Sequence, residues 1–88
     1  MEITEVRLHK VEGQEPVKAF ASITLDKQFA VGKLRIIDGE RGLFVAMPSM
    51  KGSDGKYHDI AFPITGALRA KIQDAVIDYY LSAVETNG

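Results

Sequence analysis

His9 and His58 are the only imidazoles in a chain of 88 residues that has no cysteine. Acid–base chemistry or metal binding would fall to them first. Chelation needs ligands at set intervals, such as two histidines one helical turn apart, and neither residue has such a neighbour. Both read as solvated or hydrogen-bonded surface groups. Asp54 and Asp59 suggest paired carboxylates, but Asp54 precedes Gly55 in a turn, where aspartate bonds the amides that follow it. Asp59 has Arg69 near it in sequence, which suits a structural ion pair or a cap. Ser49 follows Met47-Pro48 and lacks the Gly-x-Ser-x-Gly setting of a hydrolase nucleophile. Gly39 and Gly42 lie between strands and not ahead of a helix, so they form no phosphate loop. The expectation is no catalytic residue, no metal ligand set and no cofactor: a protein that recognises and does not catalyse.

Charge is the chemistry that remains. The formal net charge is −1, which argues against a strong general grip on a polyanion, because such affinity counts the phosphates that Lys and Arg neutralise. The distribution is uneven. Residues 33–71 carry Lys33, Arg35, Arg41, Lys51, Lys56, Arg69 and Lys71 against Asp38, Glu40, Asp54 and Asp59, whereas acids outnumber bases in the rest of the chain. A local basic patch and an ordinary solvated surface both fit this pattern.

Elements that would position these groups follow from hydrophobic period. Val17, Ala19, Ala21, Ile23 and Leu25 alternate with Lys18, Phe20, Ser22 and Thr24, which predicts a strand with one buried face. Val6 and Leu8 alternate in an earlier strand within residues 3–11, and residues 12–16 supply the turn of a first hairpin. A third strand is expected over 29–37. Residues 38–42, with two glycines, return the chain into a fourth strand over 43–47. Pro48 cannot donate to a ladder, so that strand should stop and a mobile loop run from Ser49 to Lys56. A short fifth strand from Tyr57 to Phe62 ends at Pro63. Thr65 then caps a helix whose apolar residues Leu68, Ile72, Ala75, Val76, Tyr79 and Ala83 recur at three- and four-residue steps. Arg69, Gln73 and Tyr80 fall on its opposite side. The sum is an α+β fold, an antiparallel sheet of about five strands with a C-terminal helix packed on it. Residues 1–84 form a single domain and 85–88 a frayed tail.

With 45% hydrophobic residues, the chain can build one small core, and dimerisation would add buried surface. It has no long apolar run, and its first residues lack the pattern of a signal peptide, so no membrane insertion and a cytoplasmic setting are expected.

Larger words in the sequence carry a resemblance. Gly42-Leu43-Phe44-Val45-Ala46-Met47-Pro48-Ser49, then Ser53-Asp54-Gly55-Lys56, then Asp59-Ile60-Ala61-Phe62-Pro63 resemble the stage V sporulation protein G (SpoVG) family. Ala21-Ser22-Ile23-Thr24-Leu25-Asp26, Phe29 with Val31, Arg35-Ile36-Ile37-Asp38-Gly39, Arg69 and Ile72-Gln73-Asp74-Ala75-Val76 follow in the family's order and spacing. The resemblance implies a small bacterial regulator linked to septation and sporulation, dimeric, that binds DNA or RNA and affects gene expression. It further implies binding at the start of the helix, which falls here on Gly66, Ala67, Leu68 and Arg69, with Lys71 just beyond.

Residue chemistry alone offers a surface in the same place. Met50-Lys51-Gly52-Ser53, Lys56 and residues 65–71 combine bases with a helix N-terminus, whose free amides and partial positive charge suit phosphate. Against this, Arg69 could pair with a carboxylate or cover the sheet with its stem, and Lys71 could be merely solvated. Three departures from the family temper the carry-over. Phe62-Pro63 stands where relatives commonly have His-Pro, Lys51 stands alone where they often have two bases, and Gly66-Ala67-Leu68 lacks polar side chains. Weak or sequence-tolerant binding is therefore expected. Phe20, Phe29, Tyr79 and Tyr80 are open to two roles, base stacking or core and dimer contacts. A sheet edge could pair with a second copy. The alternative function is an adaptor of the septation machinery that binds a protein partner without physiological nucleic-acid binding.

Overall fold

Ala19, Ala21, Ile23 and Leu25 alternate with half-exposed neighbours along the second strand, and each is at least 94% buried. This strand is the centre of a computed structural model that describes residues 1–11, 13 and 15–87, with side chains through residue 84. Strands β1 (Ile3–Lys10), β2 (Val17–Leu25), β3 (Phe29–Gly39) and β4 (Gly42–Ala46) form an antiparallel sheet in sequential order. The first turn, expected over 12–16, includes Glu12 and Gln14, which lie outside the described residues. Helix α1 (Gly66–Asn87) crosses one face of the sheet, packing against β4 and β1 at its two edges. Ile72 and Val76 enter the core beside Ile23, Leu34 and Ile36. Full burial of such side chains stabilises by about 1.5–3 kcal/mol each. The frayed tail expected at 85–88 falls where no side chain is described.

The β2–β3 turn is tight. Asp26 and Lys27 have φ of 50° and 56°, and Gln28 N donates to Leu25 O at 2.9 Å. Left-handed backbone costs non-glycine residues about 1–2 kcal/mol each, and the N-terminal segment offsets this by clamping the turn. Glu2 N donates to Asp26 Oδ1 at 2.8 Å and Lys27 N to Thr4 Oγ1 at 3.0 Å.

Strand β3 carries an extra residue. Ala21 faces Leu34 and Ile23 faces Val31, so two steps on β2 match three on β3, and Lys33 takes a φ of 60° at the bulge. The apolar phase changes accordingly, from Val31 to Leu34 and Ile36, so all three meet the same core.

Residues 49–56 are not simply a loop. β5 (Ser49–Lys51) pairs antiparallel with β6 (Tyr57–Asp59) in a separate two-stranded sheet. The expected fifth strand is thus shorter, and its partner is residues 49–51. Pro48 still ends β4, but its carbonyl accepts Ile60 N at 2.8 Å and secures the far end of the hairpin. The helix phase also differs from expectation at two places. Tyr80 packs on the core and Tyr79 is 49% exposed. Gln73 faces the sheet edge, where its Oε1 accepts Val45 N at 3.3 Å.

Candidate nucleic-acid interface

The β5–β6 hairpin holds Lys51 and Lys56. Its turn is closed by Gly52 N to Lys56 O at 2.8 Å and Gly55 N to Gly52 O at 3.1 Å, with Gly55 at φ 81°. Asp54 fills the inside of this turn. Its Oδ1 accepts Lys56 N at 3.0 Å and its Oδ2 meets His58 Nε2 at 3.0 Å. The Lys56 amide, and after it the His58 ring, hold the Asp54 carboxyl below its ordinary value. Asp54 is therefore a turn residue, as the sequence predicts, His58 is the hydrogen-bonded surface imidazole expected of it, and the Lys51 and Lys56 side chains are left exposed around them.

The helix start holds the other group. Thr65 caps it, with Oγ1 accepting Leu68 N at 3.2 Å and its carbonyl accepting Arg69 N at 3.1 Å. Gly66 and Ala67 are exposed, while Leu68 turns its side chain into an apolar cavity of about 250 Å³ shared with Phe29, Phe62, Pro63 and Ile72. The first turn has no acidic residue. Arg69 is exposed and does not pair with Asp59; among the described residues Lys51, Lys56 and Arg69 form no ion pair. Lys71 Nζ donates to Met1 O at 3.0 Å, which ties the helix to the N-terminus but leaves its charge uncompensated. The sequence-predicted cations thus lie on two elements, Lys51 and Lys56 on the hairpin and Arg69 and Lys71 on the helix, where a two-residue step turns Arg69 and Lys71 to different faces. Among the described residues no hydrogen bond or ion pair links the hairpin pair to the helix pair.

A third set of residues lies on the sheet face away from the helix. Phe20 stands in register between His9 of β1 and Arg35 of β3. Arg35 Nη2 donates to Met47 O and Ser49 Oγ, both at 3.3 Å, which anchors the guanidinium beside the hairpin. Phe20, Lys33, Arg35, Ser49 and Tyr57 line one hollow there, and Arg7, His9 and Phe20 border a second. The sequence reading included Phe20 among possible stacking residues and missed the grouping with Arg35 and Tyr57. The signal lay in β2, where Phe20 falls on the polar side of the alternation.

Among the described residues no polar or charged side chain is buried, and no three His, Cys, Asp or Glu residues are placed to hold a metal ion. No helix of the described residues is long and apolar enough to cross a membrane.

Known proteins match along nearly the whole chain. The SpoVG family model matches residues 1–82. A SpoVG protein of Agathobacter rectalis is 47% identical over 85 residues, covering 97% of this chain and 98% of that protein. One from Geobacillus thermodenitrificans is 54% identical over 80 residues, covering 91% and 83%. A protein of Oceanobacillus iheyensis is 52% identical over 85 residues, covering 97% and 88%. All three carry septation-protein names and none an enzyme name. On residues 1–82 and on these identities, the chain belongs to the SpoVG family.

Proposed function

We propose that this chain is a small cytoplasmic regulator that binds DNA or RNA through Lys51, Lys56, the helix start at Gly66, Ala67 and Leu68, Arg69 and Lys71, and so alters expression of genes for septation, sporulation or related responses. The observation that carries this reading is that Lys51, Lys56 and Arg69 have no carboxylate partner among the described residues while the helix's first turn has no acid. Cations without partners and helix amides without a competing carboxylate are what a phosphate backbone requires. Gly66 and Ala67 supply those amides, because Thr65 already holds the amide of Leu68. Few cations and no polar side chain at 66–68 make the binding weak and sequence-tolerant.

The protein acts as a homodimer in this account. Met1, Phe29 and Phe62, which line the apolar cavity, are 66%, 63% and 56% exposed, and an exposed apolar patch at the mouth of a cavity favours contact with another chain. Two copies would present two basic surfaces at a fixed spacing. The same patch favours the alternative, an adaptor that docks a septation protein there.

Fluorescence-anisotropy titrations on single-stranded RNA and duplex DNA separate the two. The regulator requires binding by the wild type that is lost in Arg69→Glu/Lys71→Glu while the oligomeric state persists. Absence of wild-type binding at low salt would favour the adaptor.

A further inference from the structure

The open face of the sheet has a composition unlike that of a plain solvated surface. Phe20 is half-buried and separates two hollows, one bordered by Arg7 and His9 and the other by Lys33 and Arg35. Neighbouring strands lie about 4.8 Å apart, so the row His9, Phe20, Arg35 sets an aromatic ring between two nitrogen-bearing side chains at the spacing of adjacent strands. The hairpin extends this face. Tyr57 is 72% exposed, lines the hollow shared with Phe20, and stands directly opposite Lys51. Charge on this surface favours an anion. Lys33, Arg35 and Lys51 have no ion-pair partner among the described residues, whereas Glu5 is engaged by Arg7 at 2.7 Å. Asp59 pairs in register with Ser49, which lines the hollow, and forms no ion pair among the described residues.

We propose that this face is a second contact surface for nucleic acid and that it takes a single strand, with bases stacked on Phe20 and Tyr57 and phosphates held by Lys33 and Arg35. The inference rests on the nucleic-acid reading above and adds a ligand class to it. Exposed aromatic rings interleaved with cations bind unpaired bases, because each base presents a π-face whatever its sequence. A duplex keeps its bases stacked on one another, so it offers phosphates and groove edges but no free π-face. The hairpin joins the two surfaces, since Lys51 belongs to the first and its partner Tyr57 to the second.

The test uses the full chain and two labelled strands of roughly 15 nucleotides, a length matched to small single-strand sites: oligothymidylate, and an abasic strand with the same phosphates. The wild type should prefer the base-bearing strand by about tenfold or more, one stacked base being worth a factor of that order. Phe20→Leu and Tyr57→Leu should each reduce the preference and leave affinity for the abasic strand unchanged. Tyr57 is exposed, so its variant keeps the test meaningful should Phe20→Leu disturb the sheet. Equal affinity for the two strands, or a preference untouched by both variants, would overturn the stacking surface while leaving the helix-start reading intact. Failure to bind either strand at low salt would overturn both and leave this face to a protein partner.

Discussion

Gln73 reaches from the helix to the outer edge of the sheet, where its Oε1 accepts the Val45 amide at 3.3 Å. Strand β4 is the last in the sheet, and its outward amides would otherwise be free to pair with another chain. Gln73→Ala should cost about 1 kcal/mol, the usual net value of such a bond, read as a lower urea midpoint with unchanged slope. A midpoint equal to the wild type would mean that Val45 finds another partner.

Thr65 closes the helix by accepting Leu68 N at 3.2 Å. Thr65→Ala should lower stability by about 1 kcal/mol, whereas Thr65→Asp should retain the cap. Thr65→Asp also places a carboxylate among the amides offered to phosphate, so it should weaken nucleic-acid binding without loss of stability. Chemical denaturation and anisotropy, run on both variants, check the pair of effects.

The Asp54 carboxyl, whose ordinary value is 3.8, is held lower by the Lys56 amide and by His58. A group whose folded value is depressed supports the folded form above its unfolded value and loses that support as pH falls through the folded one. The hairpin turn should therefore loosen only in acid, below 3.8. The Lys56 amide resonance should move with that titration and be flat over the same range in Asp54→Ala. A Lys56 amide that does not respond to acid in the wild type would contradict the assignment.

Phe62 is 56% exposed at the mouth of the apolar cavity. On the proposed homodimer, the wild type should sediment as a dimer and Phe62→Asp as a monomer, with the far-ultraviolet circular dichroism retained. A dimer that survives both Phe62→Asp and Phe29→Asp would place the contact elsewhere, the outer edge of β1 being one candidate.

Strand β2 was legible because its alternation runs unbroken from Val17 to Leu25, and one buried face follows from that alone. The bulge at Lys33 was written in the change of apolar phase between Val31 and Leu34, but such a change reads equally well as an irregular strand until its partner is known. Strand β5 could not be seen. Ser49–Lys51 is three polar or flexible residues after a proline, and it is a strand only because Tyr57–Asp59 folds back on it. Helix α1 was legible in its cap and its Ile72–Val76 stripe. Its phase near the C-terminus was not, because Tyr79, Tyr80, Leu81 and Val84 place apolar side chains nearly all round, and only the sheet selects Tyr80. The candidate cations were legible as residues. Their division between hairpin and helix depends on tertiary structure.

If Lys51, Lys56, Arg69 and Lys71 grip phosphates as proposed, the salt dependence of binding counts those contacts. We would measure the affinity of the wild type and of the variant with all four changed to Gln on one single strand across a salt series. Each phosphate contact contributes roughly 0.7 to the slope of log affinity against log salt, so the account predicts a slope shallower by about 3 in the variant. An unchanged slope, with wild-type binding intact, would contradict it.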